Sequence, residues 1–231
     1  MTVTIAFTPQ WFHGIDIAFE ILIVFISLLI ANYGYRIYRF TEEKRYKYFS
    51  VMFFLAGMAF IAKILTNFTV YYKVLQTIDY GIIAITTTRL YLSDIFFAFG
   101  FFFYRLFFLS AFFGIFLLYE SKYSKRFIIF LAYLMLAATF ASHYTFFIFH
   151  LNAVVLLLMI FSKTYENYAN TGSRAAGIVS ACFLVLSISQ LVFIFSFINT
   201  IAYVFGELIQ LVGFILLLYV YMVKGGRDEK G

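Results

Sequence analysis

The sequence predicts an all-α, polytopic transmembrane helix bundle, and composition, segment length and charge placement each point to it. Of 231 residues, 64% are apolar and 12% charged, where an average soluble domain carries about 25% charged residues. A water-soluble globule of this size has no interior large enough for so much apolar surface. The 34 Phe suit lipid and helix contacts, and the 19 Tyr suit the two water interfaces.

A spanning helix needs about 20 apolar residues. Such segments fall at 15–39, 47–70, 94–119, 126–142, 146–163, 175–198 and 200–223, which makes seven helices in one transmembrane domain. Residues Met1 to Trp11 carry no Lys or Arg, and the first apolar stretch is too long for a signal core, so helix 1 reads as a retained anchor. The only proline, Pro9, precedes that helix, so no spanning helix is expected to carry a proline kink. Between helices 2 and 3, residues 71–93 alternate β-branched and polar side chains, a pattern that predicts a short hairpin or a lid on the membrane surface. Helices 4 and 5 form one nearly continuous apolar run, interrupted only by Ala141-Ser142-His143-Tyr144-Thr145. Charge divides that run: Lys122, Lys125 and Arg126 precede it, and Lys163 and Arg174 flank its far end. Both ends are therefore cytoplasmic, and an even number of crossings lies between them. Close helix contacts are expected at Gly57, at Gly177 with Ala181, and at Gly206 with Gly213.

The same rule orients the whole chain with its N-terminus outside and its C-terminus in the cytoplasm. Arg36, Arg39, Lys44, Arg45, Lys47, Lys122, Lys125, Arg126, Lys163, Arg174, Lys224, Arg227 and Lys230 fall on the cytoplasmic side, against Lys73 and Arg89 outside. This distribution accounts for the net charge of +6 and leaves no basic stripe for nucleic acid. The expected location is the cell membrane, with the lipid bilayer as first partner.

Ionisable groups within a bilayer are costly and so are functional candidates. Glu20, Lys63, Arg105, His150, Gln190 and Glu207 are the predicted ligand-binding residues, with Asp16, Asn67, Asn152 and Gln210 near them in register. Every helix except the fourth contributes to this layer, which lies in the outer half; the cytoplasmic halves are almost uniformly apolar. The layer reads either as a pocket for a small polar ligand from outside or as internal ion pairs, Glu20 with Lys63 and Arg105 with Glu207. His13, Asp16, His143 and His150 are candidate zinc ligands, although no H-E-x-x-H motif is present. A haem between histidines is disfavoured because His143 and His150 flank one turn. One cysteine, Cys182, allows no internal disulfide. No nucleophile elbow or P-loop occurs, so the chain reads as a non-enzyme, with a zinc-dependent or intramembrane hydrolase as the catalytic alternative. Helix 7 has no internal lysine for a retinal Schiff base.

The plan, with the final helix Tyr203-Val204-Phe205-Gly206-Glu207-Leu208-Ile209-Gln210-Leu211-Val212-Gly213-Phe214 running into a basic stop, resembles the seven-helix input modules of prokaryotic sensor proteins. The resemblance covers the general plan and no diagnostic motif. It implies a receptor-like or accessory protein that acts through a protein partner or homo-oligomer; such sensors usually continue into a signalling domain, and here the chain ends soon after Lys224. Two other functions are expected alternatives. One is a structural subunit of a membrane complex. The other is a small-solute transporter of three helices, a linker and three helices, for which no convincing sequence repeat is found and which a polar layer reaching the cytoplasmic half would favour.

Overall fold

The computed structural model describes residues 8–79, 86–120, 124–142 and 145–228. They form a short 3-10 helix, Gln10–Phe12, and seven α-helices: α1 (Ile15–Thr41), α2 (Lys44–Asp79), α3 (Thr86–Tyr119), α4 (Lys125–Ala141), α5 (Phe146–Thr171), α6 (Arg174–Ile194) and α7 (Thr200–Asp228). All but α4 contain a stretch long and apolar enough to cross a membrane. The chain is a polytopic helical bundle.

Each helix packs on the next in a closed circuit. α1 meets α2, α2 meets α3, α3 meets α5, α5 meets α6, α6 meets α7, and α7 returns to α1. The short α4 leans on α3 and α5 from outside the ring. Inside, Phe53, Phe60, Phe108, Phe112, Phe149, Phe183 and Phe214 are fully buried and interlock edge to face, as Phe60 does on Phe214 at 5.5 Å and 88°. Outside, Phe25, Leu65, Ile129, Tyr133, Phe140 and Phe205 are more than half exposed. In water such a surface would aggregate; in a bilayer it meets lipid.

The segment read as a hairpin or lid is helical on both sides of 80–85, which lie outside the described residues: α2 continues to Asp79 and α3 begins at Thr86. Extending a nucleated helix adds a hydrogen bond per residue, whereas strand propensity depends on a partner strand. Similarly α5 runs to Thr171 rather than 163, its polar last turns carrying the Lys163–Glu166 pair at 3.3 Å.

The turn α1–α2 and the turn α5–α6 are the same structure placed 130 positions apart. Both helices end on a threonine, Thr41 or Thr171, whose hydroxyl donates four residues back, to Ile37 O or Asn167 O. A left-handed residue follows, Glu42 at φ 56° or Gly172 at φ 65°, and its N–H donates to Tyr38 O or Tyr168 O at 2.8 Å in both. The next helix opens on Lys44 or Arg174. Further in, Ser50 Oγ donates to Ala31 O and Ser180 Oγ to Phe161 O. Tyr38 lies under Lys47, and Tyr168 packs on Gly177. Each of these positions is matched at the same spacing, giving Tyr-x-x-Tyr-x-x-Thr-x-x-(Lys/Arg)-x5-Ser from Tyr35 and again from Tyr165. The ring divides at α4, which lies outside it, into α1–α3 and α5–α7; the repeat covers the α1–α2 and α5–α6 turns alone, since the same spacing does not bring α3 onto α7.

The two caps differ in one testable way. A side chain in the left-handed region costs about 1 kcal/mol relative to glycine. Glu42→Gly is therefore expected to raise the thermal unfolding midpoint in detergent. Gly172→Ala is expected to lower it by a similar amount, since no atom lies within 4 Å of its added methyl and only backbone strain acts.

Candidate functional site

Five of the ring helices bring Glu20, Lys63, His150, Gln190 and Glu207 of the predicted residues into one layer. Lys63 of α2 extends inward, where Glu20 of the neighbouring α1 and Glu207 of α7, on the far side of α1, both reach it. Its Nζ is 3.1 Å from Glu20 Oε1 and donates a short hydrogen bond to Glu207 Oε1. Asn67, one turn along α2, donates to Glu20 Oε1 at 2.8 Å. The ring centroids of Tyr104, Phe193 and Tyr203 lie 5.6, 5.5 and 5.5 Å from the ammonium, a three-sided aromatic enclosure whose faces attract a cation. Glu20 and Glu207 are fully buried, and Lys63 is 5% exposed. With all three groups ionised, two carboxylates share one ammonium, so the triad carries one surplus negative charge.

The second half supplies a neutral counterpart. His150 of α5 donates from Nδ1 to Gln190 Oε1 of α6 at 2.8 Å, and its ring stacks on Phe193 at 5.2 Å and 30°. At the spacing of 130, His150 matches Glu20 and Phe193 matches Lys63. Phe193 joins the two subsites, one face toward the Lys63 ammonium and the ring against His150.

Several buried polar atoms remain without a hydrogen-bond partner: Glu20 Oε2, Glu207 Oε2, Gln190 Nε2, and both amide atoms of Gln210, besides Ser27 Oγ. An unpaired buried polar group costs about 1–3 kcal/mol, so the layer has bonding capacity beyond what its own side chains use.

Arg105 stands apart. It is 7% exposed, and its guanidinium lies 5.3 Å from the ring of Phe101, one turn back along α3. The expected Arg105–Glu207 pair is not formed, because Lys63, on a helix next to α1, takes both carboxylates. The candidate metal ligands make other contacts. Asp16 accepts from the backbone N–H of Gly14 and Ile17, His13 contacts Thr8 O, His150 lies deep in α5, and His143 is outside the described residues. Among the described residues no three His, Cys, Asp or Glu side chains come together as a metal site.

An apolar cluster lies at the layer's own end of the ring. Phe12 of the 3-10 helix, Phe19, Phe193, Tyr203 and Val204 pack into a small apolar cap. At the opposite end, where the two matched turns lie, the ring opens into a cavity of about 400 Å³. Tyr33, Arg45, Tyr46, Tyr119, Asn167 and Tyr221 are among its lining, which draws on both halves. A largely buried bridge, Glu120 to Lys163 at 2.7 Å, ties the end of α3 to α5 beside it. The helix ends that the sequence reads as cytoplasmic are therefore less apolar than expected. From Glu20 to Gly34, and likewise from His150 to Thr164, 14 residues or about 21 Å separate layer and cavity. Buried aromatic rings fill that interval.

These features define a multi-pass helical membrane protein with a buried ionic layer. No family model, curated protein or solved structure matches the chain.

Proposed function

We propose that the chain is a small-solute transporter of the cell membrane, working by alternating exposure of the polar layer. The observation that carries this reading is the buried ionic layer between α1–α3 and α5–α7, with an apolar cluster beside it and a polar-lined cavity open at the opposite end of the ring. Parallel repeats with a site at their interface are a common transporter plan. The halves rock, and the aromatic interval between layer and cavity serves as the inner gate.

The topology follows from the same geometry. α3 ends beside the cavity and α5 begins beside the polar layer, so the chain between them crosses once, and α4 makes that crossing. Its 17 residues span about 26 Å, short but sufficient with its flanks. This makes seven crossings. Thirteen basic residues against two support a cytoplasmic cavity and an N-terminus outside.

A receptor-like or accessory role is the second reading, favoured by the burial of every member of the layer under the cap. A structural subunit is the third. Cysteine labelling separates all three. In a Cys182→Ala background, Gln210→Cys in oriented proteoliposomes is expected to react with a small cationic thiol reagent added from either side. Reaction from the outside alone identifies a receptor pocket, and reaction from neither side identifies structural packing.

A further inference from the structure

We propose that the Glu20–Glu207 carboxylate pair, enclosed by Tyr104, Phe193 and Tyr203, is a binding site for a small primary ammonium, and that the Lys63 side chain is its built-in occupant. The inference deepens the transport reading by naming the class of solute that the layer takes.

The geometry around Lys63 Nζ is the recognition chemistry of an R–NH3+ group. Two carboxylate oxygens from different helices receive two of its three N–H donors. Three aromatic faces at 5.5–5.6 Å complete the enclosure, where a dehydrated cation gains from the ring quadrupoles. A quaternary ammonium has no N–H for the carboxylates. Sodium requires a shell of oxygens, and the enclosure offers rings in their place. Glu20 Oε2 and Glu207 Oε2 are fully buried and keep unused acceptor capacity. The other half of the repeat shows what the position looks like without a tethered ammonium: Phe193 stands where Lys63 does and His150 where Glu20 does. Of these two matched positions, one alone carries an ammonium. An incoming ammonium takes its place between the carboxylates, and the lysine withdraws along the flexible four-carbon stem that lets it reach both partners.

The test is thermal unfolding of the purified full chain in methylammonium chloride, sodium chloride or tetramethylammonium chloride at matched ionic strength. A ligand that binds only the folded state raises the midpoint saturably. Methylammonium is expected to raise it in the wild type and in Lys63→Ala, with apparent affinity about tenfold tighter in the variant because no tethered group competes. Sodium and tetramethylammonium are expected to do neither, and Glu207→Gln to abolish the effect. Equal shifts with all three salts, or no shift with methylammonium, would overturn the proposal. Should Lys63→Ala fail to accumulate, wild type against Glu207→Gln carries the same comparison. Binding is read here at equilibrium, so one-sided labelling of Gln210→Cys would sink transport and leave the ammonium site standing; the reverse pair of results would do the opposite.

Discussion

Replacing Lys63 with methionine is expected to destabilise the folded chain by about 3–5 kcal/mol, the range for removing one partner of a buried ion pair. The volume changes little, so packing contributes little. The cost comes from Glu20 and Glu207, fully buried and facing each other with no cation between them. The accompanying double variant isolates this cause. Lys63→Met with Glu207→Gln removes the like-charge contact and is expected to recover a large share of the loss. Equilibrium unfolding in mixed micelles measures both. If the double variant is no more stable than Lys63→Met alone, charge is not what holds the layer.

The second large effect concerns the wall of that layer. A Cβ at Gly206 would lie 2.7 Å from Phe193 Cδ1 and Cε1, and Phe193 is packed against His150, Tyr203 and the Lys63 ammonium. The ring has nowhere to retreat without breaking those contacts. Gly206→Val is expected to cost about 1–3 kcal/mol, as overpacking of a well-filled core does, and to disturb the binding layer as well. Gly57→Ala is the control. Its Cβ meets Ser27 Cβ at an ordinary 3.6 Å, and the change is expected to stay within about 0.5 kcal/mol. The same unfolding measurement compares them.

These two glycines show what a sequence reading reaches. Both stand out as small residues in apolar helices, and only the facing ring distinguishes the close contact from the loose one. The helices were legible because each apolar run carries basic residues at one end. The polar layer was legible because a lone Glu, Lys or Gln is conspicuous in such a run. Glu20 with Lys63 followed from register. The reach of Lys63 to Glu207 did not, since it depends on α7 closing the ring against α1. The repeat escaped notice because its signal is five positions around a turn, Tyr35, Tyr38, Thr41, Lys44 and Ser50 against Tyr165, Tyr168, Thr171, Arg174 and Ser180, within helices otherwise free to vary among apolar residues. Its clearest element, the left-handed cap, pairs Glu42 with Gly172, two residues that share no chemistry and only a backbone conformation. The cavity was hidden for a different reason. Its Tyr, Asn and Arg residues sit at helix ends, where polar side chains are expected at any membrane surface.

The central claim is that the two halves move against each other and open the layer to alternate sides. Paired spin labels across the halves measure this directly, in lipid nanodiscs and a Cys182→Ala background. One pair, Ile21→Cys with Leu151→Cys, reports the end that holds the layer; the other, Phe40→Cys with Ala169→Cys, reports the end that holds the cavity. All four positions are exposed on the outside of α1 and α5. The account predicts two distances for each pair, and a shift of the two pairs in opposite directions when Glu207→Gln weakens the closed layer. A single unchanging distance at both ends, with and without that substitution, would contradict it and leave a rigid bundle whose charges serve its packing.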